Sequence, residues 1–88
     1  MKINEGLMLR EVAGNYVVVP VGKASEKFKG VINLNEVGAF LWKKIAEGLS
    51  EEEIVEALLK EYDVDREQAK KDVENFINKL VEAKLATK

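Results

Sequence analysis

Neither histidine nor cysteine occurs among the 88 residues, which removes the imidazole base, the thiolate nucleophile and the usual ligands of zinc and iron–sulfur centres. Carboxylates are what remain for chemistry. Glu51, Glu52 and Glu53 stand in a row that could gather a hard cation, but three successive positions at the first turn of a helix project around its axis and complement the positive end of its dipole. Asp63 and Asp65 could pair as acid and base, yet they flank a turn with no apolar pocket in view to raise either pKa. The six glycines are isolated at turns, so no phosphate-cradling or dinucleotide-binding loop is present. No catalytic residue, metal or cofactor is therefore expected, and the chain is read as a binding protein and not an enzyme. A chain this short buries only about 60–65% of the surface it exposes when unfolded, so a surface groove is expected in place of an enclosed cavity.

A composition of 47% hydrophobic residues and a formal net charge of -2 fits one globular domain spanning residues 1–88. The longest uncharged stretch, Val12 to Gly22, is too short to span a bilayer as a helix and contains Pro20. The first five residues lack the apolar region of a secretory signal, so a cytoplasmic protein with no membrane partner is expected. Charge is distributed in blocks: residues 1–46 carry +3, residues 47–65 carry -7 and residues 66–88 carry +2. An anionic partner would avoid the middle and meet the ends.

The elements that must position any site follow from periodicity and turn chemistry. Leu7–Val12 and Tyr16–Val21 read as two strands joined by a tight hairpin at Gly14-Asn15, with Pro20 at the end of the second. A polar loop over residues 22–29, tied down by Phe28, leads through Gly30 into a third short strand, Val31–Leu34. Asn35 can cap a helix over Glu36–Glu47 that Gly48 stops. Ser50 with Glu53 forms a capping box for a second helix to Tyr62, and Asp65 with Gln68 a second box for a longer third helix. The fold class expected is α+β: a three-stranded antiparallel sheet followed by three helices.

The third helix has an unusually wide apolar face. Ala69, Val73, Phe76, Leu80 and Ala83 fall within roughly 80° of arc, and Ile77 and Val81 lie to one side of it, bordered by Arg66, Lys70 and Lys84. An apolar pair fringed by cations describes one wall of a groove for an extended ligand with apolar and acidic side chains. The alternative is that Ile77 and Val81 pack on the sheet or on the second helix. If the strands form a meander, the third strand keeps one unpaired edge, without an internal lysine or proline to discourage pairing. A peptide added there as a strand satisfies backbone groups on both chains, while neighbouring pockets choose its sequence. The same edge also serves a loop of the chain itself, or a second copy in a homodimer.

The run Leu9-Arg10-Glu11-Val12-Ala13-Gly14-Asn15-Tyr16-Val17-Val18-Val19-Pro20-Val21-Gly22, followed by Gly30-Val31-Ile32-Asn33-Leu34-Asn35-Glu36-Val37-Gly38-Ala39-Phe40-Leu41-Trp42, resembles the PqqD family. Glu56-Ala57-Leu58-Leu59 with Glu61-Tyr62-Asp63-Val64, then Asp72-Val73-Glu74 with Phe76, and finally Leu80, Ala83 and Leu85 support the resemblance over nearly the whole chain. It implies a winged-helix-like fold acting as a recognition element (an RRE) for the leader of a ribosomally made, post-translationally modified peptide. Such elements act as peptide chaperones that hand the remainder of the precursor to a radical-SAM enzyme. The leader docks beside the third strand and against the third helix. That carries over onto Val31, Ile32, Asn33 and Leu34 for the strand edge, and onto Lys70, Val73, Ile77 and Val81 for the helical wall; the helix count adds Arg66 and Lys84 as charge contacts. Phe40, Leu41 and Trp42 are read chiefly as core anchors, with Trp42 at the stripe's margin also a candidate for docking the modifying enzyme. Two other readings stand beside this one: a DNA-binding winged helix, against which the net acidic charge argues, and a structural subunit of a larger enzyme.

Overall fold

The structure, a computed structural model, describes residues 2–22, 26 and 32–87. In chain order the elements are β1 (Lys2–Ile3), β2 (Leu7–Val12), β3 (Asn15–Pro20), β4 (Ile32–Leu34), α1 (Glu36–Ala46), α2 (Glu51–Glu61), α3 (Arg66–Glu82) and β5 (Ala86–Thr87). The α+β class and its principal order, a three-stranded antiparallel sheet followed by three helices, are as expected. Most of the expected loop, including Phe28, together with Gly30 and Val31, falls outside the described residues.

The sheet has the order β2-β3-β4. Its hairpin turns on Ala13 and Gly14, with φ of 52° and 82°, one residue earlier than expected, and Val12 pairs with Asn15. Burial enforces this register. It sets Leu9 opposite Val18 and Leu7 opposite Pro20, keeping apolar side chains on the inner face, whereas a turn at Gly14-Asn15 would place Glu11 opposite the buried Val18. A left-handed alanine is the strain accepted for that pairing. Ile32 and Leu34 of β4 pair with Val18 and Tyr16 and so join the inner face, while Asn33 pairs with Val17 on the outer one.

Each helix begins at a side-chain cap. The Asn35 carboxamide oxygen accepts the Gly38 N–H at 2.7 Å, and Ser50 and Glu53 make both arms of their box. Asp65 accepts the Gln68 N–H at 2.8 Å, but the return arm is not made, because the Gln68 side chain donates to Asp72 along the helix instead. Gly48, at φ 87°, follows α1 as expected, whereas Lys84 holds the left-handed position after α3 at φ 62°.

The core is filled from every helix and both sheets: Val18 from β3, Leu41, Trp42 and Ile45 from α1, Ile54, Val55 and Leu58 from α2, Ala69, Val73, Ile77 and Leu80 from α3, and Leu85 and Ala86 from the last segment. Sequence periodicity gives no hint of that last contribution. β5 pairs antiparallel with β1, Ile3 opposite Ala86, and the Asn4 N–H donates to the Leu85 carbonyl at 2.8 Å. Two-residue strands are too short to carry an alternation that could be read.

Candidate functional site

Because β3 is central, β4 lies at the sheet's edge, and among the described residues it pairs with β3 alone. Ile32 and Leu34 are half-buried on the inner side, and Asn33 is exposed. Immediately beyond, the chain turns through the Asn35 cap into α1, and Gly38 occupies the first turn facing both β4 and α3. A Cβ at Gly38 would lie 3.4 Å from Leu34 Cβ, 3.4 Å from Phe76 Cε1 and 3.2 Å from the capping oxygen of Asn35. Leu34 of the edge strand, the Asn35 cap and the half-buried Phe76 therefore pack closely around Gly38, where an added Cβ would be a tight fit. This places the Phe76 flank of α3 beside β4.

That geometry revises the reading of α3. Ala69, Val73, Ile77 and Leu80 are buried, Phe76 and Val81 are half-buried and Ala83 is exposed. The buried stripe is thus turned by about 40° from the one counted on the isolated helix, exchanging Phe76 for Ile77. The cause is α2, which covers the Ile77 side. Arg66 donates to Glu56 of α2 at 2.6 Å, and Arg66, Lys70 and Glu74 line an open groove between α2 and α3 together with Glu53, Glu56 and Lys60.

The expected site residues are accordingly divided. Ile32, Asn33 and Leu34 lie on the edge strand, and Val31 lies outside the described residues. Val73 and Ile77, each 1% exposed, are sealed in the core and present no surface in the free chain. Lys70 and Arg66 face the acidic α2, and Val81 is displaced from Phe76 by about 140° around the helix. Lys84 is past the end of α3, where its carbonyl accepts the Asn4 side-chain N–H. Of the cations in the wall read from spacing, Arg66 and Lys70 thus stand on the α2 side of α3. Trp42, 3% exposed, is a core residue with no surface for docking another protein. Phe76 and Gly38, which meet beside Leu34 of β4, are not among the site residues expected from the sequence. The wide stripe on α3 and a glycine inside a helix at the end of a strand were the signals available for them.

The electrostatics on the α2 side are those of caps and surface pairs. The Ser50 backbone N–H holds the Glu53 carboxyl below its ordinary value, the Arg66 hydrogen bond does the same for Glu56, and Glu56 in turn raises Arg66. Tyr62 is pushed up, first by burial and then by Glu36 and Glu61, and its ring meets Phe40 edge-on at 5.5 Å. Lys43 and Lys44 lie over the rings of Tyr16 and Phe40 at 5.9 and 5.3 Å. Among the described residues no group of histidine, cysteine or carboxylate side chains is placed to hold a metal ion, and no helix is long and apolar enough to cross a membrane.

Two solved structures share this architecture. One, "TbiB1 in Complex with the TbiA(beta) Leader Peptide", is 28% identical with a TM-score of 0.79, over 98% of this chain and 94% of that one. The other, "Lasso peptide synthetase B1 complexed with the leader peptide", is 18% identical with a TM-score of 0.79, over 99% and 96%, and is similar in fold. No curated protein matches by sequence. The model of the family described as Coenzyme PQQ synthesis protein D (PqqD) matches residues 8–86, from β2 through β5. The strand edge, the contact of Leu34 and Phe76 over Gly38 and the three helices all lie within that span, and the chain belongs to the PqqD family.

Proposed function

We propose that this protein is a peptide-binding adaptor: it captures the leader of a ribosomally synthesised precursor as an added strand on β4 and holds the remainder for a modifying enzyme. The observation supporting the reading is the β4 edge, which offers backbone groups that a guest strand can pair with, flanked by the apolar contact of Leu34 and Phe76 over Gly38. The ligands of the two similar structures, both leader peptides, support the same role. The proposed contacts are Ile32, Asn33 and Leu34, continuing to Val31, with Phe76 as the helical wall and the buried Val73 and Ile77 behind it. The recipient is assigned as a radical-SAM enzyme on the strength of the family resemblance, and the complex is assigned to the cytoplasm.

Magnitudes decide what such a site reads. A backbone hydrogen bond contributes about 0.5–1.5 kcal/mol net, and an edge of three described residues offers few of them. Burying an apolar side chain contributes about 1.5–3 kcal/mol, so two apolar ligand residues buried beside β4 outweigh the ladder. Binding of DNA has no comparable support, since Arg66 and Lys70 of α3 stand among the glutamates of α2. The test is an amide-resolved NMR titration of the full chain with the leader segment of a precursor encoded beside it. Shifts concentrated at residues 32–38 and around Phe76 are expected, and a saturating titration that moves only the α2–α3 groove overturns the assignment.

A further inference from the structure

The phase of the backbone hydrogen bonds in the sheet determines which main-chain groups β4 offers. A two-residue turn at Ala13-Gly14 with both φ values positive makes Val12 and Asn15 a hydrogen-bonded pair, so bonded pairs recur at Arg10 with Val17 and at Met8 with Val19. The Val21 N–H donating to the Gly6 carbonyl at 2.7 Å continues the same phase two residues further on. The groups of Val17 are thereby directed toward β2, and those of Tyr16 and Val18 toward β4. Tyr16 and Val18 face Leu34 and Ile32, which spend their N–H and C=O on β3. Asn33, opposite Val17, is out of phase, and its N–H and C=O are directed away from the sheet.

Resting on the strand-addition reading, we infer that a captured peptide is locked in register by one residue that exchanges both backbone hydrogen bonds with Asn33, in the antiparallel sense of the rest of the sheet. The consequence for ligand chemistry is direct. The side chain of that residue lies on the outer, solvent-facing side with Asn33 and Val17. The side chains immediately before and after it lie on the inner side with Ile32 and Leu34, which pack against the apolar core. The segment recognised is therefore a triplet with apolar first and third residues and an unconstrained, solvated middle one. Asn33 acts through its main chain, not its carboxamide.

The test separates register from function. In the free chain, hydrogen exchange is expected to be slow at the Ile32 and Leu34 amides and fast at Asn33; the opposite phase overturns the inference without reference to any ligand. Asn33→Pro removes only the outward N–H at an edge position where proline is tolerated, so the variant is expected to melt as the parent does. It is expected to bind the TbiA(beta) leader peptide, used as probe, at least about tenfold more weakly than the parent, with Asn33→Ala unchanged. Parent-like binding by a folded Asn33→Pro overturns the register. Failure of the parent itself to bind this probe, with Asn33 exchanging fast as expected, counts against the strand-addition reading and leaves the backbone phase standing. Should Asn33→Pro unfold, amide protection at Asn33 on adding the probe to the parent is the deciding measurement, and its absence under saturating probe overturns the inference.

Discussion

Arg66 of α3 donates to Glu56 of α2 at 2.6 Å, with both side chains more than half exposed. The pair marks the face on which α2 and α3 meet and takes the most conspicuous cation of α3 out of the neighbourhood of β4. Exposed pairs contribute little to stability. Arg66→Ala is therefore expected to leave both the thermal midpoint and leader-peptide affinity close to those of the parent, and Lys70→Glu likewise leaves affinity unchanged. A large loss of peptide binding in either variant, measured by calorimetric titration, would mean that the groove lies on the α2 side after all.

Acid titration tests the other carboxylates. Glu53 is held low by the Ser50 N–H and Glu56 by Arg66, so both have folded pKa values below the ordinary 4.5. Their stabilisation is fully present above that value and is lost as the pH falls through the lowered folded values. The Glu53→Gln, Glu56→Gln double variant is expected to be less stable than the parent at neutral pH and to converge with it in acid. Denaturant midpoints that stay equally separated from pH 7 down to pH 2 would contradict this.

Neighbouring positions on α3 should separate packing from binding. Ile77 is 1% exposed, so Ile77→Ala leaves a cavity and is expected to cost about 2–4 kcal/mol in chemical denaturation. Phe76, half-buried beside Gly38, is expected to cost less than Ile77 on truncation to alanine and to lose most peptide affinity while the chain remains folded. The reverse ranking in stability would restore the stripe counted on the isolated helix.

Ala13 sits at φ 52° in the hairpin turn, a region in which asparagine is tolerated better than alanine. Ala13→Asn, creating the favoured pair with Gly14, is expected to raise stability by about 0.5–1 kcal/mol. No gain, or a loss, in equilibrium denaturation would mean that the turn does not take this form.

Trp42, the single tryptophan, is 3% exposed. Its emission is expected to be blue-shifted in the folded chain, poorly quenched by acrylamide and insensitive to added peptide. Strong quenching of the native protein would return it to the surface.

How much of this was legible before coordinates follows from what each signal can see. Caps and stops are local, and Asn35, Ser50, Asp65 and Gly48 mark their helices as the sequence indicated. The edge position of β4 followed from strand order alone. The hairpin turn shifted by one residue because local turn chemistry favours Gly14-Asn15, whereas the burial of Val18 opposite Leu9 selects Ala13-Gly14 at the cost of a left-handed alanine. Phe76 and Ile77 exchanged roles for a similar reason: a helical wheel gives the breadth of an apolar face but not its centre, which α2 sets by packing on one flank. Trp42 was read at the margin of its stripe because α1 is covered on more sides than a single stripe describes. The clasp of β1 on β5 leaves no trace in periodicity.

That clasp bears on how the protein comes into being during synthesis. Leu85 and Ala86 complete a core whose other members begin at Val18, and Ile3 waits for its partner across almost the full length of the chain. Helices can form and fray as the polypeptide leaves the ribosome, but the last hydrophobic pieces arrive only when residue 86 has emerged. Acquisition of a stable native state is therefore expected to be all-or-none and to wait until residue 86 has left the ribosome, so that a fully supported β4 edge is not offered before its last core residues arrive.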